Sequence, residues 1–184
     1  MSYIFKPKPQ PSVTVKGSKH RFPVNRIYCV GRNYAEHARE MGDNPDRDPP
    51  FFFSKPADAI LESGETLAYS QATKDLQHEV ELVVALDGGG RGISIKKARK
   101  LIFGYAVGID FTRRDLQAEA KAARRPWDTS KGFDQSAAIG GIVPADVAGL
   151  AAGTGIGLKV NGEFKQKAVL GDMIWSVAET ISAL

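Results

Sequence analysis

Short apolar segments that end at glycine- or proline-rich turns constrain the fold of this chain most. The 184 residues include 19 Gly and 10 Pro. The clearest strand is HEVELVVAL at 78–86, which is closed by the turn DGGGRG. Strands outnumber helices in this pattern and the turns are tight, so the sequence predicts a strand-dominated α+β domain.

Other segments have local patterns that are typical of strands, turns and helices. Further strands are predicted for VNRIYCVG, FFFSKP and FGYAVGID, and Asn161-Gly162 between two alternating segments predicts a hairpin. Helices are predicted for YAEHAREM after a cap at Asn33, SIKKARKLI after a cap at Ser94, TRRDLQAEAKAARR with Thr112 and Asp115 in capping-box positions, and a segment that begins near Ile174.

The chain divides into an arm and one domain. Residues 1–25 are predicted to form an extended N-terminal arm, because the prolines of KPKPQP lack amide donors. Residues 26–184 are enough for one globular core.

Composition narrows the function classes. The net charge of +4 comes from basic clusters such as KKARK and KAARR, which have no interleaved aromatic residues for base stacking. We therefore expect no nucleic acid as partner. The sequence has no apolar run that would span a membrane, and its one cysteine, Cys29, excludes an intrachain disulfide. We expect a cytoplasmic protein with a buried, inert thiol.

Three carboxylates are candidate ligands for a cation. Glu79 and Glu81 alternate with Val80 and Leu82 and therefore share one face of a strand. Asp110 follows small residues on its own face of the strand GYAVGID. Without Cys or His ligands, this set fits a hard cation such as Mg²⁺, with Mn²⁺ and Ca²⁺ as alternatives, better than Zn²⁺. The alternative is a solvated strand face.

Three further residues could transfer protons or stabilise negative charge. His37 and Glu40 are three residues apart on a predicted helix, so the carboxylate could orient the imidazole as a general base. They could equally be two solvated polar residues. Lys131, in the predicted loop PWDTSKGFD, is either an exposed lysine or a group that stabilises a substrate carboxylate or enolate.

Five motifs in this order resemble the fumarylacetoacetate hydrolase superfamily: YCVGRNYAEHARE, FFFSKP, HEVELVV, GYAVGIDFTRRDLQ and RPWDTSKGFD. The N-terminal arm makes the chain most similar to the bacterial fumarylpyruvate hydrolases of that superfamily. The resemblance implies a β-roll of packed sheets with flanking helices, over residues 26–184, in a homodimer.

The resemblance also implies a role for each candidate residue. The implied metal ligands are Glu79, Glu81 and Asp110, the implied catalytic residues are His37, Glu40 and Lys131, and the implied substrate contacts are Gln117, Arg114, Arg32 and Lys55.

The implied activity is Mg²⁺-dependent hydrolysis of the carbon–carbon bond of an acylpyruvate, a small anionic 2-oxo acid. Fumarylpyruvate would give fumarate and pyruvate in the catabolism of aromatic compounds. The motifs leave open oxaloacetate decarboxylation and isomerisation or decarboxylation of a diketo acid. A catalytically incomplete metal-binding relative also stays open, because family members continue past Leu184 with a Gly-Thr-Pro loop, and we expect this C-terminal part to be absent here.

Overall fold

The computed structural model describes residues 2–34 and 48–184. The strands are β1 (Ser12–Thr14), β2 (Arg21–Pro23), β3 (Ile27–Gly31), β4 (Phe51–Lys55), β5 (Ile60–Glu62), β6 (Leu76–Leu86), β7 (Ile102–Arg113), β8 (Ala137–Ile139), β9 (Val143–Pro144), β10 (Gly155–Val160) and β11 (Glu163–Val169). The α-helices are α1 (Ile95–Lys100), α2 (Arg114–Ala122), α3 (Asp128–Lys131), α4 (Ala145–Ala148) and α5 (Val177–Ala183). Strands dominate, so the predicted α+β class is confirmed.

A five-stranded sheet organises the domain, with β5, β8, β7 and β6 in that order and β9 paired to β7. The β6–β7 pair is antiparallel and is the longest ladder described. The described residues also form three two-stranded sheets, namely β1–β2, β3–β4 and β10–β11. No helix in the described ranges is long and apolar enough to cross a membrane.

The main core lies between the central sheet and the β1–β2 hairpin. Its buried members are Val13, Val24, Ala85, Ala106, Ala137, Ile139 and Ile142. Val13 and Val24 belong to the predicted arm, so this part of residues 1–25 packs as a hairpin against the domain rather than extending away from it. The prolines of KPKPQP precede β1, which leaves the later residues of the arm free to pair.

A second apolar cluster joins α1 to α5. Ala98 of α1 packs with Ala178 and Ile181 of α5, and all three are buried. Ser94 caps α1 as predicted, because its side chain accepts a hydrogen bond from the Lys97 amide.

The C-terminal helix begins later than the sequence indicated. It starts at Val177 rather than near Ile174, because Ser176 and Glu179 form a reciprocal capping box at that point.

The β10–β11 hairpin confirms the turn prediction. Asn161 and Gly162 have φ values of 52° and 85°, which is the left-handed backbone that a two-residue hairpin turn requires. Gln166 of β11 fixes the hairpin to the sheet, since its Oε1 accepts from the Val80 amide at 2.8 Å.

Candidate metal and catalytic site

The carboxylates of the candidate site come from the β6–β7 pair. Glu79 lies directly opposite Asp110 across the ladder, and Glu81 lies opposite Gly108. Asp110 is 6% exposed. Strand alternation therefore places all three acidic side chains on one face of the sheet, as the sequence predicted.

Lys131 joins two of these carboxylates. Its Nζ donates to Glu79 Oε2 at 2.8 Å and to Asp110 Oδ2 at 2.7 Å. A third donation reaches Thr112 Oγ1 at 2.6 Å. The side chain is 2% exposed and ends the short helix α3, so the alternative of a solvent-exposed loop lysine is wrong.

Lys55 approaches the same carboxylates from β4. Its Nζ lies 2.7 Å from Asp110 Oδ1 and donates to the Phe111 carbonyl at 3.1 Å. It also donates to the Lys131 carbonyl and so connects β4 to the end of α3. Lys55 therefore lies beside the acidic residues, and its implied contact with substrate stays a prediction.

Arg114, the first residue of α2, holds Glu79 from the other side. Its Nη2 donates to Glu79 Oε1, its Nε donates to Gln77 Oε1 at 2.9 Å, and its Nη1 donates to Gln117 Oε1 at 2.5 Å. Gln117 is 5% exposed. Every guanidinium nitrogen of Arg114 thus has a protein acceptor, and its contact with substrate stays a prediction.

The pKa values of Glu79 and Glu81 are shifted in opposite directions. Burial alone would raise the pKa of Glu79, but Lys131 and then Arg114 hold it below its usual range. Burial, together with the charges of Asp110 and Glu79, raises the pKa of Glu81 to about 8. Burial also lowers the pKa of Lys55, against the opposing effect of Asp110. Negative charge is therefore least compensated at Glu81.

A cavity of about 860 Å³ reaches the acidic residues from the space between β3 and the sheet. Its lining includes Glu81, Asp110 and Lys55, and on the β3 side Cys29 and Tyr34. Burial and the nearby Asp110 raise the pKa of Cys29 to about 12, which supports the inert thiol predicted from its apolar neighbours. The residue is half-buried rather than buried as predicted.

The structure describes only part of the remaining predicted site residues. The guanidinium carbon of Arg32 lies 5.6 Å from the centre of the Phe51 ring, beside the aromatic side chains of β4. His37 and Glu40, with the helix predicted for them, lie outside the described residues. Asn33, the predicted cap of that helix, binds the main chain of Trp175 through both side-chain atoms.

Sequence reasoning missed two residues of this network, Thr112 and Gln77. Thr112 was predicted to cap α2, which is wrong: it lies within β7, and α2 begins at Arg114 without a side-chain cap. Strand alternation from Asp110 would have placed Thr112 on the acidic face. No comparable signal identifies Gln77, because its contact with Arg114 spans 37 residues.

The fit of this donor set to a divalent cation depends on its charge and on its present partners. Three carboxylates lie on one face, of which Asp110 is buried and Glu79 and Glu81 are half-buried. Burial and then the acidic neighbours raise the pKa of Glu81, and a hard cation would neutralise such a set of charges. Within residues 2–34 and 48–184, no group of three or more His, Cys, Asp and Glu is arranged to hold a metal. The Lys131 ammonium bonds to both Glu79 and Asp110. The donor chemistry fits, but a cation would have to displace Lys131 from these oxygens.

Comparisons with known proteins agree with this fold. The family model described as fumarylacetoacetate (FAA) hydrolase C-terminal matches residues 26–184. The fumarylpyruvate hydrolase of Pseudomonas aeruginosa, solved in complex with Mn²⁺ and pyruvate, is 49% identical with a TM-score of 0.93; the match covers 98% of this chain and 79% of that one.

Two curated relatives differ in activity. The fumarylpyruvate hydrolase of a Ralstonia species is 41% identical over 146 residues, or 78% of this chain and 76% of the relative. An oxaloacetate tautomerase of Escherichia coli is 36% identical over 168 residues, or 91% of this chain and 76% of the relative.

Fold, site and family match together define the class of protein. The chain belongs to the fumarylacetoacetate hydrolase family, and the resemblance predicted from its motifs is confirmed.

Proposed function

We propose that this protein is a divalent-metal-dependent hydrolase that cleaves the carbon–carbon bond of an acylpyruvate, with fumarylpyruvate as substrate. The observation that carries the proposal is the similarity, over 98% of this chain and 79% of the other, to the Pseudomonas aeruginosa fumarylpyruvate hydrolase solved in complex with Mn²⁺ and pyruvate. The buried network of Glu79, Asp110 and Lys131 supports it, because it combines cation donors with an ammonium group.

The metal ligands in this proposal are Glu79, Glu81 and Asp110, and the ion is Mg²⁺, with Mn²⁺ or Ca²⁺ as substitutes. When bound, the cation would draw electrons from the 2-oxo acid and stabilise negative charge on it. Cationic side chains contact Glu79 and Asp110, which suits a substrate with two or more negative charges.

The protein residues supply the proton transfers. His37, oriented by Glu40, would accept a proton from a water molecule as that water attacks the acyl carbonyl carbon. When the tetrahedral intermediate collapses, the carbon–carbon bond breaks and its electron pair forms the enolate of pyruvate. Lys131 would stabilise this enolate electrostatically, and protonation of its carbon then gives pyruvate beside fumarate.

A second candidate reaction is the tautomerisation or decarboxylation of oxaloacetate. The similarity to the Escherichia coli oxaloacetate tautomerase favours it. Oxaloacetate is also a 2-oxo acid whose reactions pass through an enol or enolate, so the same charged residues would serve it. The two candidates differ in whether a water molecule attacks a distal carbonyl.

The cellular setting follows from the proposed reaction. We place the enzyme in the cytoplasm, in the catabolism of aromatic compounds, where ring cleavage produces acylpyruvates. We also propose a homodimer, with no nucleic acid or membrane as partner.

The test measures loss of the enol absorbance of fumarylpyruvate and acetylpyruvate, and the conversion of oxaloacetate. Each substrate is tested with Mg²⁺, Mn²⁺, Ca²⁺ or a chelator. Metal-dependent loss that yields equimolar pyruvate supports the hydrolase. Turnover of oxaloacetate alone would replace it with the second candidate.

Two variants separate the roles of the residues. Glu81→Ala should abolish the metal-dependent activity and weaken Mn²⁺ binding, whereas His37→Ala should stop hydrolysis and keep Mn²⁺ affinity. Metal binding by the parent without turnover of any of these substrates would identify a catalytically incomplete relative instead.

A further inference from the structure

The hydroxyl group of Thr112 lies against the ammonium group of Lys131 in the interior of the site. Thr112 is 0% exposed, and its Oγ1 accepts from Lys131 Nζ at 2.6 Å. It follows Asp110 by two residues on β7, so both side chains project from the same face of the strand.

The ammonium group is fully committed. Lys131 Nζ has three N–H bonds, and it donates to Glu79, Asp110 and Thr112 at 2.8, 2.7 and 2.6 Å. The Phe53 ring covers another side, with its centre 5.0 Å from Nζ. These contacts define one position for the charge.

The Thr112 hydroxyl is itself oriented. Its own O–H donates to the Asp110 carbonyl at 3.3 Å, which leaves an oxygen lone pair directed at Lys131. The other end of Lys131 is also held, because its amide donates to the Trp127 carbonyl at 2.9 Å and its carbonyl accepts from Lys55. Thr112 is thus a pre-oriented acceptor for a side chain with a fixed backbone.

The three acceptors of Lys131 are not equivalent. Glu79 and Asp110 are charged and are the proposed ligands of the cation, whereas Thr112 is a neutral alcohol. A divalent cation prefers carboxylate oxygen and would compete with Lys131 for the two acids. Thr112 is the acceptor that remains for the ammonium group when the cation binds.

We propose that Thr112 is a positioning residue: its hydroxyl keeps the Lys131 ammonium directed at the developing enolate while Glu79 and Asp110 bind the cation. This inference rests on the proposed function, because it assumes the enolate-stabilising role of Lys131. Thr112 itself does not contact the reacting atoms.

A purely structural role makes a different prediction. If Thr112 only satisfied a buried donor, its replacement would lower stability and leave the turnover of folded protein unchanged. A positioning role instead lowers kcat with little effect on KM, because the ammonium group is needed most where negative charge develops.

The test compares Thr112→Val, which keeps the shape and removes the hydroxyl, with Thr112→Ser, which keeps the hydroxyl. Both are made in the full chain and assayed with Mn²⁺ and fumarylpyruvate, well below their melting temperatures. Thr112→Val should lower kcat about tenfold to a hundredfold, the range of a lost hydrogen bond to a charged group, with KM within about twofold. Thr112→Ser should stay within about threefold of the parent.

A second readout does not depend on turnover. Oxalate is a planar dianion that resembles the enolate of pyruvate, and its affinity for the Mn²⁺-loaded protein is measured by calorimetry. Thr112→Val should weaken oxalate binding by about the same factor as kcat, and Thr112→Ser should not.

The outcomes separate this inference from the proposed function. Parent-like kcat and oxalate affinity in Thr112→Val, or equal losses in both variants, would overturn the role of Thr112. If the parent cleaves no acylpyruvate, the proposed function fails, and oxalate affinity alone decides for or against Thr112. If Thr112→Val does not fold, Thr112→Ala replaces it in the same comparison with Thr112→Ser.

Discussion

The two ends of the β6–β7 pair share one backbone ladder but differ in what they bury. At one end Glu79 faces Asp110, and charged and hydroxyl groups bind these acidic residues. At the other end Ala85 faces Gly104 and packs in the main core. The same strand geometry thus carries a buried charge network and an ordinary apolar core.

The two ends differ in the groups that stabilise them. The polar end depends on side chains that are distant in sequence, since Lys131 reaches Glu79 across 52 residues. The apolar end depends on close approach: a Cβ added to Gly104 would lie 2.5 Å from the Val143 carbonyl oxygen. Charge compensation holds one end and packing holds the other, so matched substitutions should separate their effects on activity and stability.

Removal of the Lys131 charge should have the largest effect. Lys131→Met leaves Glu79 and Asp110 without the ammonium group that binds both, and loss of one partner from a buried ionic network costs about 3–5 kcal/mol of unfolding free energy. The measurement is urea unfolding in chelator, with acylpyruvate turnover assayed separately and expected to be lost.

The exposed Lys165 is the matched control, and Lys165→Met should change the free energy of unfolding by less than about 0.5 kcal/mol. Parent-like stability of Lys131→Met would show that Lys131 is not what compensates the buried acids.

A cavity at the apolar end should lower stability and leave catalysis intact. Ile142 is 2% exposed, and Ile142→Ala should cost about 2–4 kcal/mol in urea unfolding. At a temperature where the variant is folded, its kcat should stay within about twofold of the parent. Val147, at 69% exposed, is the control, since Val147→Ala should have almost no effect on stability. A tenfold loss of kcat in Ile142→Ala would show that the two ends are coupled.

The sequence predicted several of the strands and helices, and the acidic face, because these depend on neighbouring residues. Alternation placed Glu79, Glu81 and Asp110 on one side of the sheet, and turn chemistry located Asn161-Gly162. These patterns involve residues only a few positions apart, and the folded structure retains them.

The contacts that complete the site were beyond such signals. Nothing near Lys131 indicates that it is buried, because its partners come from β6 and β7. Likewise, a Thr three residues before an Asp indicates a helix cap, but the pairing of β7 with β6 continues to Arg113 and keeps Thr112 in the strand. The long-range strand pairing determines the structure at Thr112, although the local pattern is typical of a helix cap.

Neutralising Glu81 should stabilise the metal-free protein, and more so at high pH. Its pKa in the folded protein is raised to about 8, above the value of 4.5 taken as the reference for the unfolded chain, so its ionisation opposes folding. The cost is absent below pH 4.5, grows through the interval to pH 8 and is complete above it. Glu81→Gln should therefore gain little at pH 5 and on the order of 1–3 kcal/mol at pH 9.

Urea unfolding in chelator at pH 5, 7 and 9 checks this pH dependence. The exposed Glu163 serves as control, because Glu163→Gln removes a surface carboxylate and should have almost no effect on the free energy of unfolding. A gain for Glu81→Gln that is equal at pH 5 and pH 9 would contradict the raised pKa.

The smallest expected effect concerns Cys29, which lies on β3 against the polar end. Burial and then the Asp110 carboxylate raise its thiol pKa to about 12, so at pH 8 its thiolate fraction is about a thousandfold below that of a free cysteine. Alkylation by iodoacetamide, followed by intact mass, should be at least about a hundredfold slower in native protein than in denaturant. Cys29→Ala should show no labelling and almost unchanged activity. A native rate within about fivefold of the denatured rate would mean that this side of the polar end is open to solvent. Water, rather than Lys55 and Lys131, would then screen the carboxylate charge beside the thiol.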